Sequence, residues 1–284
     1  MLHEMHLKAA GPLNVRVGEL LASCTLPLSE SRALLARALG VARERLIAHP
    51  EDRVAPEAMR CFAERVKRRQ DGEPLAYLLG VKEFYGREFS VAPAVLVPRP
   101  ETELLVQVAL ACIPEGEAAV LELGTGSGCV AITLALERPN WQLTATDLSD
   151  EALAVAQINA DRWQTSNVAF HAGNWFNAVP PDARFNLIVS NPPYVAEDDA
   201  HLHALRFEPT LALVANDDGV SALSTIIEKA VGHLLPSGHL ALEHGYAHGH
   251  AVRSLFVTHG WRDVRTVRDL AGLERVTHAR PGAV

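Results

Sequence analysis

The chain has 284 residues, of which 48% are hydrophobic and 21% are charged, with a formal net charge of −8 at pH 7. This is the composition of an ordinary soluble globular protein with a real core, and no apolar run approaches the length of a membrane span. The segment Met1–Lys8 lacks the apolar core of a signal peptide, so we expect a cytoplasmic protein with no membrane attachment. The cysteines form no CxxC pair and are expected to be reduced thiols. They are Cys24, Cys61, Cys112 and Cys129.

The charge is unevenly divided along the chain. Residues 1–80 carry 12 Lys and Arg against 10 Asp and Glu, a net charge of +2, whereas residues 81–284 carry −10. A protein that grips a nucleic-acid backbone over a wide surface normally has the opposite sign, so stable nucleic-acid binding is not expected. One basic run, Arg65–Arg69, is either a solvated helix face or a patch for a partner.

Residues 1–80 show helical periodicity and little strand character. The pattern predicts a helix over 29–39 that stops at Gly40, and another over 56–70. No chemical motif occurs among these residues. A small helical bundle of this kind, beside a catalytic domain, favours a role in recognition or docking.

Residues 81–97 change character and predict a β-hairpin connector between two domains. Residues 84–91 alternate like a strand, and 94–97 are the expected partner strand. Residues 98–100, Pro-Arg-Pro, close the connector. The acidic residues of 101–103 then favour the start of a helix, because its N-terminal end is positive.

From about residue 98 the sequence alternates between strand-like and helical runs. This alternation predicts an α/β domain with a mainly parallel sheet and helices on both faces. Ligands of such sheets bind beyond the carboxyl ends of the strands, near the switch point of strand order. Strands are predicted over 119–123, 142–146, 167–171, 185–190, 239–243 and 263–268. Helices are predicted over 101–112, 129–137, 150–162, 220–235 and 248–259.

A glycine-rich turn, Gly124-Thr-Gly-Ser-Gly128, follows the first predicted strand. Its spacing is not that of a nicotinamide-binding loop, which needs a glycine where Cys129 stands. Glycines let the backbone approach a ligand that a Cβ would exclude. Asp147 ends the second strand, where a carboxylate can accept hydrogen bonds from two ribose hydroxyls. A tight turn with an N-capping aspartate is the alternative interpretation.

The segment Asn191-Pro192-Pro193-Tyr194 follows the predicted strand 185–190 and is the most informative motif. An amide nitrogen is a poor nucleophile because its lone pair is delocalised. Hydrogen bonds from an –NH2 group to the Asn191 side-chain oxygen and the Pro192 carbonyl would localise that lone pair and orient it. Tyr194 offers a face for stacking. A polyproline turn is the alternative, but with the glycine turn the motif favours an S-adenosylmethionine-dependent N-methyltransferase.

Taken together, these motifs resemble the bacterial release-factor glutamine methyltransferases, the HemK or PrmC family. The resemblance covers most of the chain. Asn-Pro-Pro-Tyr alone is shared with adenine-N6 DNA methyltransferases, whereas Pro-Arg-Pro-Glu-Thr-Glu and the tail motif Asp-Leu-Ala-Gly are more particular. The matching segments are 72–80, 83–86, 95–103, 123–128, 191–194, 207–209 and 269–272.

The resemblance implies a Rossmann-like class I methyltransferase domain over 98–284, an N-terminal helical substrate-recognition domain over 1–80, and the linking hairpin at 81–97. It implies S-adenosyl-L-methionine as cofactor, S-adenosyl-L-homocysteine as product, and no metal. The methyl group is expected on the N5 amide of the glutamine in the Gly-Gly-Gln motif of class 1 peptide chain release factors. Such methylation supports translation termination. A monomer is expected.

The resemblance also assigns the site residues. Asn191 is expected beside both cofactor and substrate, and Trp175 beside the adenine, although core packing is the alternative for that indole. The expected catalytic and glutamine-binding residues are Asn191, Pro192, Pro193 and Tyr194, with Arg99 lining their pocket. The expected cofactor residues are Gly124, Thr125, Gly126, Ser127, Gly128, Asp147, Trp175 and Asn191.

Other interpretations remain open from the sequence. Adenine-N6 methylation of DNA or RNA would need a basic groove or a target-recognition domain, and neither is evident. A non-catalytic binder is disfavoured by the intact Asn-Pro-Pro-Tyr motif. Glu208 is expected to order a loop beside the pocket. A set of histidines, which are His239, His244, His248 and His250, is expected to be incidental and not a metal site.

Overall fold

The computed structural model describes residues 15–215 and 219–282, apart from the side chains of Ala200 and His201. The chain divides into two compact units, Met1–Leu79 and Gly80–Val284. The expectation about a leader rests on residues 1–8, which lie outside the described residues. In the described part of the chain, no helix combines the length and apolarity that crossing a membrane requires.

The first unit is helical, as the sequence predicts. The helix Leu28–Leu39 (α2) is followed by Gly40, whose φ of 67° is the left-handed conformation that stops a helix. The apolar faces of the helices form a core that includes Leu34, Leu35 and Phe62. The helices are α1 (Val17–Ser23), α2 (Leu28–Leu39), α3 (Arg43–Ala48), α4 (Pro56–Gln70) and α5 (Leu75–Leu79).

The basic run on α4 is partly used inside this unit. Arg68 pairs with Glu73 at 2.6 Å, and Arg69 pairs with Glu30 at 2.7 Å. Each guanidinium makes two hydrogen bonds to its carboxylate partner. Two of the cations between 65 and 69 therefore join parts of the first unit to one another.

The second unit begins with a hairpin of β1 (Val81–Phe84) and β2 (Arg87–Ser90). The predicted pairing of 84–91 with 94–97 is wrong. The chain reverses at Tyr85 and Gly86, whose φ values of 52° and 71° are those required at both central residues of a tight hairpin turn. Phe84 and Phe89 are buried in the core of the unit.

A seven-stranded sheet follows, in the order β5-β4-β3-β6-β7-β9-β8. The five strands from β3 to β7 are mutually parallel, and β9 runs antiparallel to both of its neighbours. The predicted mainly parallel sheet is confirmed, but the sequence analysis missed β9. The strands are β3 (Ala118–Leu123), β4 (Trp141–Asp147), β5 (Val168–Ala172), β6 (Phe185–Ser190), β7 (Leu234–Glu243), β8 (Arg262–Arg268) and β9 (Glu274–Arg280).

Helices cover both faces of this sheet. Apolar residues of α6, α7 and α8 pack with Val120 on one face, whereas those of α9 and α10 pack with Leu121 on the other. The alternation along β3 thus supplies two cores. The helices are α6 (Glu103–Cys112), α7 (Cys129–Glu137), α8 (Asp150–Trp163), α9 (Ser221–Ala230) and α10 (Gly249–Thr258).

The largest difference from the predicted boundaries lies between α9 and β7. The helix α9 ends at Ala230, and β7 begins at Leu234, five residues before the predicted strand. Pro236 and Gly238 lie within β7, where its pairing with β6 shifts register between Phe185 and Leu187. An irregularity of this kind accommodates a proline and a glycine that would otherwise end a strand.

Asn159 on α8 joins the hairpin to the loop after β3. Its Oδ1 accepts a hydrogen bond from the Ser90 N–H at 2.6 Å. Its Nδ2 donates to the carbonyls of Ser90 at 3.0 Å and Ser127 at 2.9 Å. The side chain is fully buried. These bonds fix β2 against the glycine-rich turn.

We predict that Asn159→Ala lowers the free energy of unfolding by about 2–4 kcal/mol, because it removes these hydrogen bonds and leaves buried backbone groups without partners. Urea unfolding followed by circular dichroism measures the change. Asn140→Ala is the control, since Asn140 is exposed. Equal stability of the two variants would contradict the role given to Asn159.

Candidate active site

The glycine-rich turn and the Asn-Pro-Pro-Tyr segment leave the sheet side by side. Leu123 at the end of β3 pairs with Ser190 at the end of β6. The Ser190 hydroxyl also donates to the Leu123 carbonyl at 2.7 Å. The chain passes from β5 across to β6 at this point, so both loops open at the switch point of strand order.

The glycine-rich turn has a compact, internally bonded backbone. Gly124 and Thr125 each donate an N–H to the Thr146 carbonyl at 2.9 Å. Gly128 has a φ of 79°, and a Cβ there would lie 2.9 Å from Cδ1 of Ile132 and 3.1 Å from Cβ of Ala156. Only glycine fits this position without displacing its neighbours.

A buried carboxyl group lies beneath the turn. Glu122 is 3% exposed, and its Oε2 accepts hydrogen bonds from the Thr125 hydroxyl at 2.6 Å and the Ala131 N–H at 3.0 Å. Burial raises the pKa of Glu122 to about 8, although these hydrogen bonds oppose the rise and the charge of Asp147 adds to it. The sequence analysis did not predict a role for this residue. The sign that could have indicated one is a single acidic residue within an otherwise apolar strand.

Asp147 and Trp175 border the turn on its open side. The Asp147 carboxylate accepts N–H donors from Gly126 at 2.8 Å and Ser149 at 3.0 Å. The Trp175 ring lies so close to Gly124 that a Cβ on that glycine would be 3.5 Å from it. Both predicted residues therefore lie at the glycine turn.

The Asn-Pro-Pro-Tyr segment is half-buried beside this turn. The Asn191 Nδ2 donates to the Thr102 hydroxyl at 3.2 Å. The Tyr194 ring packs edge-on against His248, with ring centroids 6.3 Å apart. Burial raises the pKa of Tyr194 to about 12, so the phenol stays protonated at neutral pH.

Arg99 is held by a buried partner. Its Nη2 donates to Glu208 Oε1 at 2.5 Å, and Glu208 Oε2 accepts the Val97 N–H at 3.0 Å. The Glu208 side chain is 3% exposed. The expectation that Glu208 orders a loop beside the pocket matches this geometry, since it ties residues 207–209 to the Pro-Arg-Pro segment.

A cavity of about 510 Å³ connects these parts. Asn191, Pro193 and Arg99 line it, whereas Pro192 and Tyr194 are not among its lining residues. Thr102, Glu122 and Leu148 also line it, and none of these was predicted. The expected cofactor residues that line it are Gly124, Thr125, Gly126, Ser127, Asp147, Trp175 and Asn191.

The histidines noted in the sequence do not gather at one point. Arg280 Nε lies 2.8 Å from Nε2 of His239, and burial lowers the pKa of His239 to about 4. His244 instead lies 2.8 Å from the Thr277 hydroxyl. Across the described ranges, the one group with metal-ligating geometry is made of His49, Glu51 and Asp52 and includes no residue of this set.

We predict that Glu122→Gln makes the stability of the protein less dependent on pH. The folded pKa of about 8 lies above the ordinary 4.5, so folding takes up a proton at this group. The Glu122 carboxyl therefore adds its full contribution to the free energy of unfolding below the pKa of the unfolded state. That contribution is lost as the pH rises through the pKa of the folded state. The free energy of unfolding of the wild type should fall relative to the variant as the pH rises from about 5 to 8.

Urea unfolding at the two pH values measures this difference. Glu115→Gln, at an exposed glutamate, is the control and should follow the wild type. Parallel pH profiles for the wild type and Glu122→Gln would contradict a raised pKa at Glu122.

Comparisons with known proteins bear on both units. A family model described as "Methyltransferase small domain" matches residues 100–207, and one described as "PrmC N-terminal domain" matches residues 17–80. The release factor glutamine methyltransferase of Bordetella pertussis is 48% identical over 263 residues, which cover 91% of this chain and 97% of that protein. The protein of the same name from Escherichia coli is 42% identical over 256 residues, covering 89% and 92%.

Solved structures share the fold at low identity. A methyltransferase from Pyrococcus furiosus is 21% identical, with a TM-score of 0.54 over 78% of this chain and all of that one. The hMettl16 catalytic domain, in complex with the MAT2A 3′UTR hairpin 1, is 13% identical, with a TM-score of 0.58 over 78% and 81%. The predicted Rossmann-like class I methyltransferase fold is thus confirmed. Because relatives of 42–48% identity match it over about nine-tenths of its length, the chain belongs to the release factor glutamine methyltransferase family.

Proposed function

We propose that this chain transfers the methyl group of S-adenosyl-L-methionine to the N5 amide nitrogen of the glutamine in the Gly-Gly-Gln motif of class 1 peptide chain release factors. It would do so as a cytoplasmic monomer and so support translation termination. The observation that carries the proposal is that Asn191 and the glycine-rich turn open into one cavity. Relatives across most of the chain are named for this activity.

The cofactor side of the cavity suits S-adenosyl-L-methionine. Glycines 124 and 126 leave room for its methionine and ribose portions, and the Asp147 carboxylate, which lines the same cavity, would accept hydrogen bonds from the ribose hydroxyls. Leu148, which is 56% exposed, and Trp175 offer apolar surface for an adenine. The bound cofactor supplies a methyl group on a positively charged sulfur. Acidic groups near the turn favour such a cation.

The substrate side suits a planar –NH2 group. The Asn191 Oδ1 and the Pro192 carbonyl accept hydrogen bonds from the glutamine amide, which localises the nitrogen lone pair and directs it into the cavity. Tyr194 follows Pro193, which lines the cavity, and would stack on the amide plane as a neutral phenol. Arg99 lines the same cavity with its charge balanced by Glu208. No proton acceptor is required before transfer, and no metal takes part.

The first unit is proposed to help hold the release factor. It contains no chemical motif, and the PrmC N-terminal domain model covers nearly all of its described residues. The charges of Arg68 and Arg69 are balanced by Glu73 and Glu30. We therefore propose that exposed residues other than Arg68 and Arg69 contact the release factor.

The alternative function is adenine-N6 methylation of DNA or RNA, because adenine also presents a planar amino group. The net charge of −10 on residues 81–284 disfavours it, since a backbone-binding groove needs positive charge. A non-catalytic binder of the cofactor is the third possibility. Substrate tests with a single labelled cofactor separate the three.

We predict that the wild type transfers label from S-adenosyl-L-methionine to an unmodified class 1 release factor. It should not label a variant of that factor with alanine in place of the Gly-Gly-Gln glutamine, nor duplex DNA or hairpin RNA. Asn191→Ala should lower the rate by about 100-fold or more, because the amide loses its orienting acceptor. Binding of the cofactor, measured by calorimetry, should change little.

Asn140→Ala is the matched control, since Asn140 is exposed and lies outside the cavity lining. Label on nucleic acid would replace the proposal by the adenine alternative. No label on any substrate would favour a non-catalytic binder. An undiminished rate for Asn191→Ala would overturn the role of its amide.

We predict that Gly128→Ala weakens binding of S-adenosyl-L-methionine by about tenfold or more, a loss of about 1.4 kcal/mol. The new methyl group would press on Ile132 and Ala156 and shift the turn. Gly116→Ala is the control, because Gly116 also has a positive φ, of 94°, but no heavy atom near its Cβ position. Calorimetric titration measures both. Equal affinities of the two variants would show that crowding at Gly128 does not shape the site.

A further inference from the structure

A second buried carboxyl group lies on the other side of Asn191. The strand β7 ends at Glu243, and Leu242 pairs with Ser190 in parallel register. The next residues along the two strands are Glu243 and Asn191, which therefore stand side by side at the same edge of the sheet. Glu243 is 1% exposed.

Thr102 completes a small polar cluster around Asn191. It is 4% exposed and is the last residue of the short helical turn Pro100–Thr102. Its hydroxyl accepts a hydrogen bond from the Asn191 Nδ2 at 3.2 Å. The Glu243 carboxyl lies near the side chains of Thr102 and Asn191, both of which favour its ionised form.

The burial of Glu243 is costly and needs a reason. Burial raises the pKa of Glu243 to about 7, although Thr102, Arg275 and Asn191 oppose the rise and Glu101 adds to it. Within the described part of the chain, Oε2 of Glu243 has no hydrogen-bond partner. Packing alone does not explain a carboxyl group kept in such a place, because an apolar side chain would fill it at lower cost.

The cluster gives the Asn191 amide a direction. Its –NH2 end faces acceptors, the Thr102 hydroxyl oxygen and the Glu243 carboxyl, so its Oδ1 points away from them. In the reverse orientation Oδ1 would face the oxygens of the Glu243 carboxyl, which repel it when that carboxyl is ionised. The reversed –NH2 would also meet the –NH2 group of a substrate, donor against donor.

We infer that Glu243, acting with Thr102, is a positioning residue that fixes the Asn191 amide with its oxygen toward the methyl-accepting nitrogen. This inference rests on the proposed function, since it gives Asn191 its role as acceptor. Asn191 alone touches the substrate. Glu243 and Thr102 act through it, and neither exchanges a proton with substrate.

Enzyme variants test this arrangement by their kinetics. Thr102→Val removes the hydroxyl at nearly constant volume, and Glu243→Gln introduces a donor that tolerates the reversed amide. Each should lower kcat by about 10- to 100-fold, because misorientation of a positioning group has effects of this size. KM for the cofactor should change by less than about threefold, because these substitutions affect the methyl-transfer step and not the binding of the cofactor. Thr102→Ser, which restores the hydroxyl, should recover most of the rate lost in Thr102→Val.

Thr133→Val is the matched control, since Thr133 is fully buried on α7 and does not line the cavity. It should retain wild-type kcat. Thermal unfolding of every variant shows whether a lower rate reflects loss of the fold. For variants that remain folded, the NMR signals of the Asn191 side-chain amide report its orientation independently of the rate.

The direction of the amide is measured without substrate. In ¹⁵N-labelled full-length protein, the side-chain amide signals of Asn191 are assigned by their absence in Asn191→Ala. These signals should shift in Thr102→Val and Glu243→Gln but not in Thr133→Val. Unchanged Asn191 signals in both variants, or an unchanged kcat in both, would overturn the inference. A wild type that labels no release factor would instead overturn the proposed function, and the amide signals would still report on the orientation.

Discussion

The pairing of β3 with β6 is the constraint on which the site depends. The last residues of the two strands are in register, and a side-chain hydrogen bond from Ser190 to the Leu123 carbonyl joins them at the sheet edge. The next residues along each strand, Gly124 and Asn191, therefore start their loops as neighbours. The helices that follow β3 and β4 cover one face of the sheet, and those that follow β6 and β7 cover the other. The crevice between the diverging loops is the cavity.

Two buried glutamates flank that crevice in a similar way. Glu122 and Glu243 lie at or next to the ends of the strands on either side of β6. The Thr125 hydroxyl donates a hydrogen bond to Glu122, and Thr102 lies beside Glu243. Burial raises the pKa of Glu122 to about 8 and that of Glu243 to about 7. A bound cation lowers the pKa of a nearby carboxyl group. At neutral pH the Glu122 carboxyl is therefore mainly protonated, and a cation bound beside it would favour its ionised form.

Motifs whose chemistry is local could be predicted from the sequence, and features that depend on strand pairing could not. The glycine-rich turn, Asp147 and Asn191 follow from residue types that come directly after strand-like runs. The hairpin register was wrong because the turn lies at Tyr85, a residue that rarely takes a positive φ. The place of Glu243 beside Thr102 and Asn191 could not be predicted, because it depends on strand pairing between residues far apart in the chain.

The hairpin also belongs to this arrangement, because the glycine-rich turn is held from several directions. Glu122 bonds to it from within the sheet, and Asp147 bonds to the Gly126 N–H at its open side. Asn159 holds the Ser127 carbonyl from α8 and in the same side chain binds both backbone groups of Ser90. A displacement of β2 would therefore also displace the glycine-rich turn, because the buried side-chain amide of Asn159 bonds to both. A flexible linker could not serve in this place, since the hairpin also helps to fix the glycine-rich turn.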